Sequence, residues 1–523
     1  MRRFELGPLS LSLLSAVDTT AGADETLALS PPEERSDGAT VVERRSTIWE
    51  RAWLELHPTE DGLDVHTCVR GRGAVTDVRL LGGRSVIPLA PLGPTLSGTR
   101  LPRLFSPNPE DGVPPVRDAG AGATSGVSGD GEPGRGRWLF TPPPLWFALG
   151  DGAREWVGVG ITAPVTELRF VQAAWQASAN GFSLALDFDG HTIVDGELRL
   201  PVLRITTGVT DPYEGLRRHR DDVGPPVVER SGPEWWSEPI FCGWGAQCHL
   251  EREQGGLARD YATQADYDGF LAHLERHGLE PRTVVLDDKW QATYGRNEPD
   301  RAKWPDLKGW IAEQHARGRH VLLWWKAWDP EGLPPEVCIR NADDVPVAVD
   351  PAAARGELVR AIESMLSPDG LDADGLKVDF TARTPSGRAL SHSGSWGIAL
   401  LHDLLAVVYA AAKNAKPHAL VITHTPHPGF VDVTDMIRLN DMTSGEIVPQ
   451  MAHRAKVVRA VCPELPIDTD DWRVPDKRSW RAFLEEKRAI GVPSLYYASH
   501  LDASGEELDD DDFAALRRVW SVP

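Results

Sequence analysis

The clearest chemistry in this chain is carried by two charged residues, two apart in an otherwise apolar run: Lys377 and Asp379 in GLKVDF, residues 375–380. Side chains at i and i+2 of a strand point to one face, so the lysine and the aspartate emerge together from a sheet built of Leu376, Val378 and Phe380. A cation alongside favours the ionised carboxylate, and an ionised carboxylate at a strand end can act as a nucleophile. The same pair also fits a structural ion pair, so the surrounding elements have to decide.

Those elements change character partway along the chain. Up to about residue 206, short alternating segments such as FSLALDFDGH and LRLPVLRITTG are separated by Gly, Pro and Asp turns. Such period-2 alternation predicts an N-terminal antiparallel β-sandwich over residues 1–210. Segment 106–137 has almost no large apolar residue and is expected to be a mobile loop. Residues 211–238, a short charged helix and the Pro-rich DVGPPVVERSGPEWWSEP, read as a linker. From 239 to 523 strands and amphipathic helices alternate, with strands expected at 240–247, 283–288, 320–327, 375–380, 419–424, 435–441, 465–471 and 493–498. The fold class is therefore α/β: a (β/α)8 TIM barrel preceded by the β-sandwich.

Chemistry in such barrels sits at the carboxyl ends of the strands. That rule selects Trp244, Asp287, Asp288, Trp324, Trp325, Lys326, Lys377, Asp379, His424, Arg438 and Asp441, with Asp468, Asp470 and Asp471 on the seventh strand. Nineteen tryptophans stand against 7 tyrosines, and several fall near these strand ends, where a flat indole matches the C–H face of a sugar ring.

Several segments in order resemble glycoside hydrolase family 36, the α-galactosidase-like enzymes related to families 27 and 31. They are LDDKWQ after the second strand, WPDLKGWIAEQHARGRHVLLWW into the third, VDP at 349–351, GLKVDF, and an Arg-containing sixth strand ending at Asp441. The resemblance covers roughly residues 235–500 and implies a retaining α-glycosidase with Asp379 as nucleophile and Asp441 as general acid/base. It further implies that Lys377, Asp287 and Asp288 hold sugar hydroxyls. The chain departs from the pattern at Lys289, where the family usually carries Gly, at WWKAWDPEG after the third strand and at HTPHPGF after the fifth. A C-terminal β-domain, usual in the family, is not expected after the last strand.

The residues support that chemistry independently. Glycosidic cleavage needs two carboxyls facing each other, one attacking and one protonating the leaving oxygen. Asp379 beside Lys377 is expected to be ionised, and Asp441 between Leu439 and Met442 to favour its protonated form. Arg438, three residues before Asp441, falls on the opposite face of a regular strand unless a bulge re-aims it. Asp470 or Asp471 is the rival acid. Lys326 either binds an anionic or modified sugar or pairs with Asp329 or Glu331 at the rim. Glycosyl transfer of the raffinose synthase type would use the same residues.

Composition narrows the partners. A net charge of −22 disfavours nucleic acid and anionic membranes, and no apolar run of membrane-spanning length is expected. Cys68, Cys242, Cys248, Cys338 and Cys462 are odd in number and scattered, which fits a reducing cytoplasm. His424 and His427 raise a metal-dependent barrel hydrolase as a different class, but their spacing around prolines suits rim contacts better than metal ligation. No metal or cofactor is expected, the expected partner is a small carbohydrate, and a homo-oligomer is left open.

Overall fold

The computed structural model describes the chain apart from residues 1–2, 7–8, 81, 83–94, 97–102, 110–111, 119–121, 128–140, 151–154, 179–180, 226, 228–231, 440, 442–445 and 522–523. Among the described residues its N-terminal part holds a 14-stranded antiparallel sheet and a three-stranded one formed by Arg3–Leu6, Leu9–Ser12 and Thr95–Leu96. The two longest strands, Gly62–Leu80 and Gly181–Arg199, pair along most of their length, and Gly62–Leu80 also carries Arg51–Pro58 and Val202–Val209 on its first half. The expected loop at 106–137 is in part strand. Val116–Asp118 pairs with Arg103–Phe105, and Gly122–Gly126 pairs with Gln172–Ser178. Edge pairing needs only backbone donors and acceptors, so a scarcity of apolar side chains does not forbid it; residues 110–111, 119–121 and 128–137 of that segment lie outside the described residues.

The second part is a parallel eight-stranded barrel. Its strands are β1 (Ile240–Cys242), β2 (Thr283–Leu286), β3 (His320–Lys326), β4 (Gly375–Asp379), β5 (Leu420–Thr423), β6 (Met436–Arg438), β7 (Ile467–Asp468) and β8 (Ser494–Leu495). β8 pairs with β1, and the remaining gap between β7 and β8 is bridged at Asp468 and Val492. Most strands are shorter than the sequence predicts, and β1 differs in kind. GWGAQ, expected as strand, is already helix from Trp244 to Gln254. The glycines allow this tight turn: a Cβ at Gly243 would lie 2.1 Å from Tyr267 Oη and one at Gly245 2.5 Å from Tyr496 O.

Helix Gly397–Ala415 corrects a further expectation, being 19 residues long and apolar enough, by length and composition, to cross a membrane. Here it is a barrel helix, with Leu400, Leu401, Leu404 and Val408 buried. All five cysteines are free thiols.

Candidate active site

Strand register decides which side chains reach the barrel mouth. β3 and β4 align Trp324 with Lys377, Trp325 with Val378 and Lys326 with Asp379. Alternation therefore turns Trp324, Lys326, Lys377 and Asp379 inward, while Trp325 shares the outward face with Val378 and is buried there. Trp325 is thus not part of the sugar wall, contrary to the sequence expectation.

Asp379 is the last residue of β4. Its Oδ2 accepts a hydrogen bond from Trp324 Nε1 at 3.1 Å, and its Oδ1 accepts from Arg438 Nη2 at 3.1 Å and from Phe380 N at 2.9 Å. Burial opposes its charge, but Arg438 first and Lys377 next overcome that cost and hold the carboxyl well below the usual range. Phe380, directly after it, has φ 63°, a left-handed backbone that costs on the order of 1 kcal/mol in a bulky residue and is typical of functional sites.

Arg438 is the centre of the site. It is fully buried, and its Nη1 donates to Asp441 Oδ1 at 2.8 Å and to Asp470 Oδ2 at 2.6 Å while Nη2 reaches Asp379. The opposite-face expectation for Arg438 and Asp441 fails for a simple reason. β6 ends at Arg438, so strand alternation no longer sets the side of Asp441, whose carboxyl meets the same guanidinium. Asp441 is pushed up to about 7, chiefly by burial, with Asp470 and Asp379 adding repulsion against the pull of Arg438. Leu439, one of the two apolar neighbours expected beside it, is buried; Met442 lies outside the described residues.

The three aspartates of the seventh strand differ from Asp441 in exposure and partners. Asp470 touches Arg438, but its side chain is 0% exposed against 32% for Asp441, and a proton donor must reach the leaving oxygen. Asp471 is held by Lys487 Nζ at 2.8 Å, Trp480 Nε1 at 3.0 Å and Tyr496 N at 2.9 Å, a structural clamp away from Arg438. Asp468 is buried and accepts from Ser494 Oγ at 2.6 Å across the barrel seam.

Beneath the mouth, Lys377 Nζ lies 2.6 Å from Asp287 Oδ2, which also accepts from Cys242 Sγ at 3.0 Å. Burial would lower the lysine pKa, yet Asp287 raises it above its ordinary value. Asp287 Oδ1 is taken by Asp288 N at 2.8 Å. Lys377 and Asp287 thus form a buried floor beneath the mouth whose charges are paired with each other. Asp288 is the member that opens outward. Its Oδ1 accepts from Tyr294 Oη at 2.8 Å, and burial raises it to about 6.

At the rim, Lys326 pairs with Asp329 at 2.8 Å and sits 4.1 Å above the Tyr294 ring, so the rim pairing expected for it is the one that forms. Glu331 instead takes Lys289 at 2.8 Å. Lys289 adopts φ 72°, which gives a physical reason for the glycine usual at this position in the resembling family. Trp244 stands at the start of its helix, edge-on to Trp472 with ring centroids 5.7 Å apart.

His424 is tied into the site through a fixed tautomer. Arg438 Nη2 approaches His424 Nδ1 at 3.4 Å and can only donate. His424 Nε2–H therefore donates to Thr381 Oγ1 at 2.7 Å, whose hydroxyl donates to Thr141 O at 3.1 Å. Burial, with Arg438 nearby, lowers His424 to about 3, so it is neutral. His427 Nδ1 accepts from Gly429 N at 3.1 Å. Among the described residues no group of three or more His, Cys, Asp and Glu could hold a metal ion.

Sequence reasoning passed over Tyr294, Thr381, Thr141 and Trp472. Tyr294 follows Asp288 by six residues in a loop, and the others meet the site through long-range contacts that no local pattern encodes.

Sequence comparison finds no matching family model and no matching curated protein. Solved structures do match. A sulfoquinovosidase of glycoside hydrolase family 31 from E. rectale, in complex with an aza-sugar inhibitor, superposes with TM-score 0.63 at 10% identity over 99% of this chain and 82% of its own. An α-galactosidase from Thermus thermophilus, in complex with p-nitrophenyl α-D-galactopyranoside, gives TM-score 0.57 at 14% identity over 94% and 95%. A cycloalternan-forming enzyme from Listeria monocytogenes gives 0.58 at 12% identity over 97% of this chain and 53% of its own, so the chain spans about half the length of that enzyme. The chain has the sheet-plus-barrel fold of these glycoside hydrolases.

Proposed function

We propose that the chain is a retaining α-glycosidase acting on terminal α-linked sugars in the manner of an α-galactosidase. The observation that carries this reading is one guanidinium, Arg438, holding Asp379 at 3.1 Å and Asp441 at 2.8 Å, the first pressed toward ionisation and the second toward protonation. Two carboxyls within the span of one guanidinium suit the short separation of a retaining pair. Asp379 attacks the anomeric carbon while Asp441 gives its proton to the leaving oxygen. Esterification of Asp379 removes one of the negative charges that raise Asp441. The proton affinity of Asp441 then falls as it changes from acid to base for the attack of water. The structural likeness to an α-galactosidase supports the sugar class, and the pairing of Lys326 with Asp329 speaks against Lys326 as the anchor of an anionic sugar.

Variant kinetics test this. Asp379→Ala should abolish turnover of every α-glycoside, because the covalent intermediate cannot form. Asp441→Ala should cut turnover of alkyl glycosides about a hundredfold more than that of nitrophenyl glycosides, which leave without a proton. Equal losses on the two kinds of substrate would remove Asp441 from the acid role.

A further inference from the structure

A cleft of about 600 Å³ opens beside Asp288, within the roughly 300–1,000 Å³ range of small-ligand sites. Asp288 and Trp244 line it, whereas Asp379 and Asp441 do not. A sugar ring whose anomeric carbon lies at Asp379 and whose hydroxyls reach Asp288 therefore presents its far end to this cleft. The leaving group departs on the side of Asp441.

The walls carry a particular chemistry. Trp244 and Trp472 meet edge-to-face at 69° and form a half-buried aromatic corner. Leu257, 47% exposed, continues the apolar surface. Around it stand three carboxylates, Glu251, Asp288 and Asp502, and three guanidiniums, Arg252, Arg259 and Arg473. Arg473 is paired with Asp502 at 2.9 Å, and Arg252 donates to the carbonyls of Asp502 and Ala503. Signs are balanced, so the cleft does not select a strongly charged group. It is too polar for a lipid chain. An aromatic corner ringed by both donors and acceptors is what a neutral polyhydroxylated ring requires.

We propose that this cleft binds a second sugar ring, linked to the far end of the ring being cleaved, so that the preferred substrate is an α-linked oligosaccharide and the terminal unit released from it is a disaccharide in place of a single sugar. The proposal rests on the glycosidase reading and adds the substrate class. Trp244 is shared between the two rings, and Trp472 belongs to the second alone.

Matched 4-nitrophenyl α-glycosides carrying one hexose or two α-linked hexoses decide the matter with the full chain. The expected result is a kcat/KM at least about tenfold higher for the disaccharide glycoside, with intact disaccharide as the first product. Trp472→Ala should bring that ratio near one by raising KM for the longer substrate, and Leu257→Asp, at an exposed position, should lower the same ratio. Equal kcat/KM for the two substrates in the wild type, or a ratio unmoved by both substitutions, overturns the proposal. If the wild type cleaves neither glycoside, the glycosidase reading fails on its own. The cleft is then judged by calorimetry with the free disaccharide: binding weakened about tenfold by Trp472→Ala supports it, and no binding to the wild type overturns it.

Discussion

Asp379 and Asp441 differ in environment more than in chemistry. Each contacts the same arginine, yet Asp379 also takes Trp324 and backbone hydrogen bonds and lies nearer the Lys377 charge, whereas Asp441 has mainly repulsion from Asp470 and Asp379 to add to burial. The proposed acid must be protonated to work, so kcat/KM should fall as pH rises through about 7. The same shift is a stability statement. Folding raises Asp441 to about 7 from an unfolded value near 4, so the native state binds the extra proton in that window and loses stability as pH rises across it. Asp441→Asn escapes this loss. Its melting temperature relative to the wild type should climb between pH 5 and pH 8, and a difference independent of pH would count against the shifted carboxyl.

At the scale of elements, what was legible followed from regularity. Lys377 and Asp379 could be aimed from sequence because β4 alternates without interruption, and LDDKW marked Asp287 and Asp288 because β2 ends cleanly before them. Arg438 could not be aimed, since β6 stops there and alternation no longer applies. Trp244 reads as strand because the two glycines beside it look like extended chain, whereas packing against Tyr267 and Tyr496 makes them a helix start. The opposite end of the barrel is stapled by Asp374, whose Oδ2 accepts from Val321 N at 2.8 Å and from His315 Nε2 at 2.8 Å, while Oδ1 pairs with Lys416 at 3.1 Å. These partners hold Asp374 well below the carboxylate range despite burial. Asp374→Ala should lower stability by on the order of 3 kcal/mol in urea titration and leave kcat of the folded protein unchanged. A large loss of kcat with full stability would show that this end of the barrel is coupled to the chemistry.

Across the whole molecule, the antiparallel sheet and the barrel meet at the site. Thr141 belongs to the N-terminal part, yet its carbonyl accepts from Thr381 and its N–H donates to His424 O at 3.0 Å. The chain of bonds from Arg438 through His424 and Thr381 thus ends on a residue far away in sequence, which no local motif could reveal. Thr381→Val leaves the His424 N–H and the Thr141 carbonyl without their partner, a cost of about 1–3 kcal/mol. It should reduce kcat roughly tenfold by loosening Arg438. Thr381→Ser should restore both the hydroxyl and the rate. An undiminished rate in Thr381→Val would mean that the N-terminal part does not help to position the arginine.

The central claim is that Asp379 forms a covalent glycosyl-enzyme intermediate, and the stereochemistry of the product tests it most directly. Proton NMR of a nitrophenyl α-glycoside digest, read before mutarotation, should show the α-anomer of the free sugar as the first product, as two successive inversions require. First appearance of the β-anomer would place water rather than Asp379 at the anomeric carbon and contradict the account.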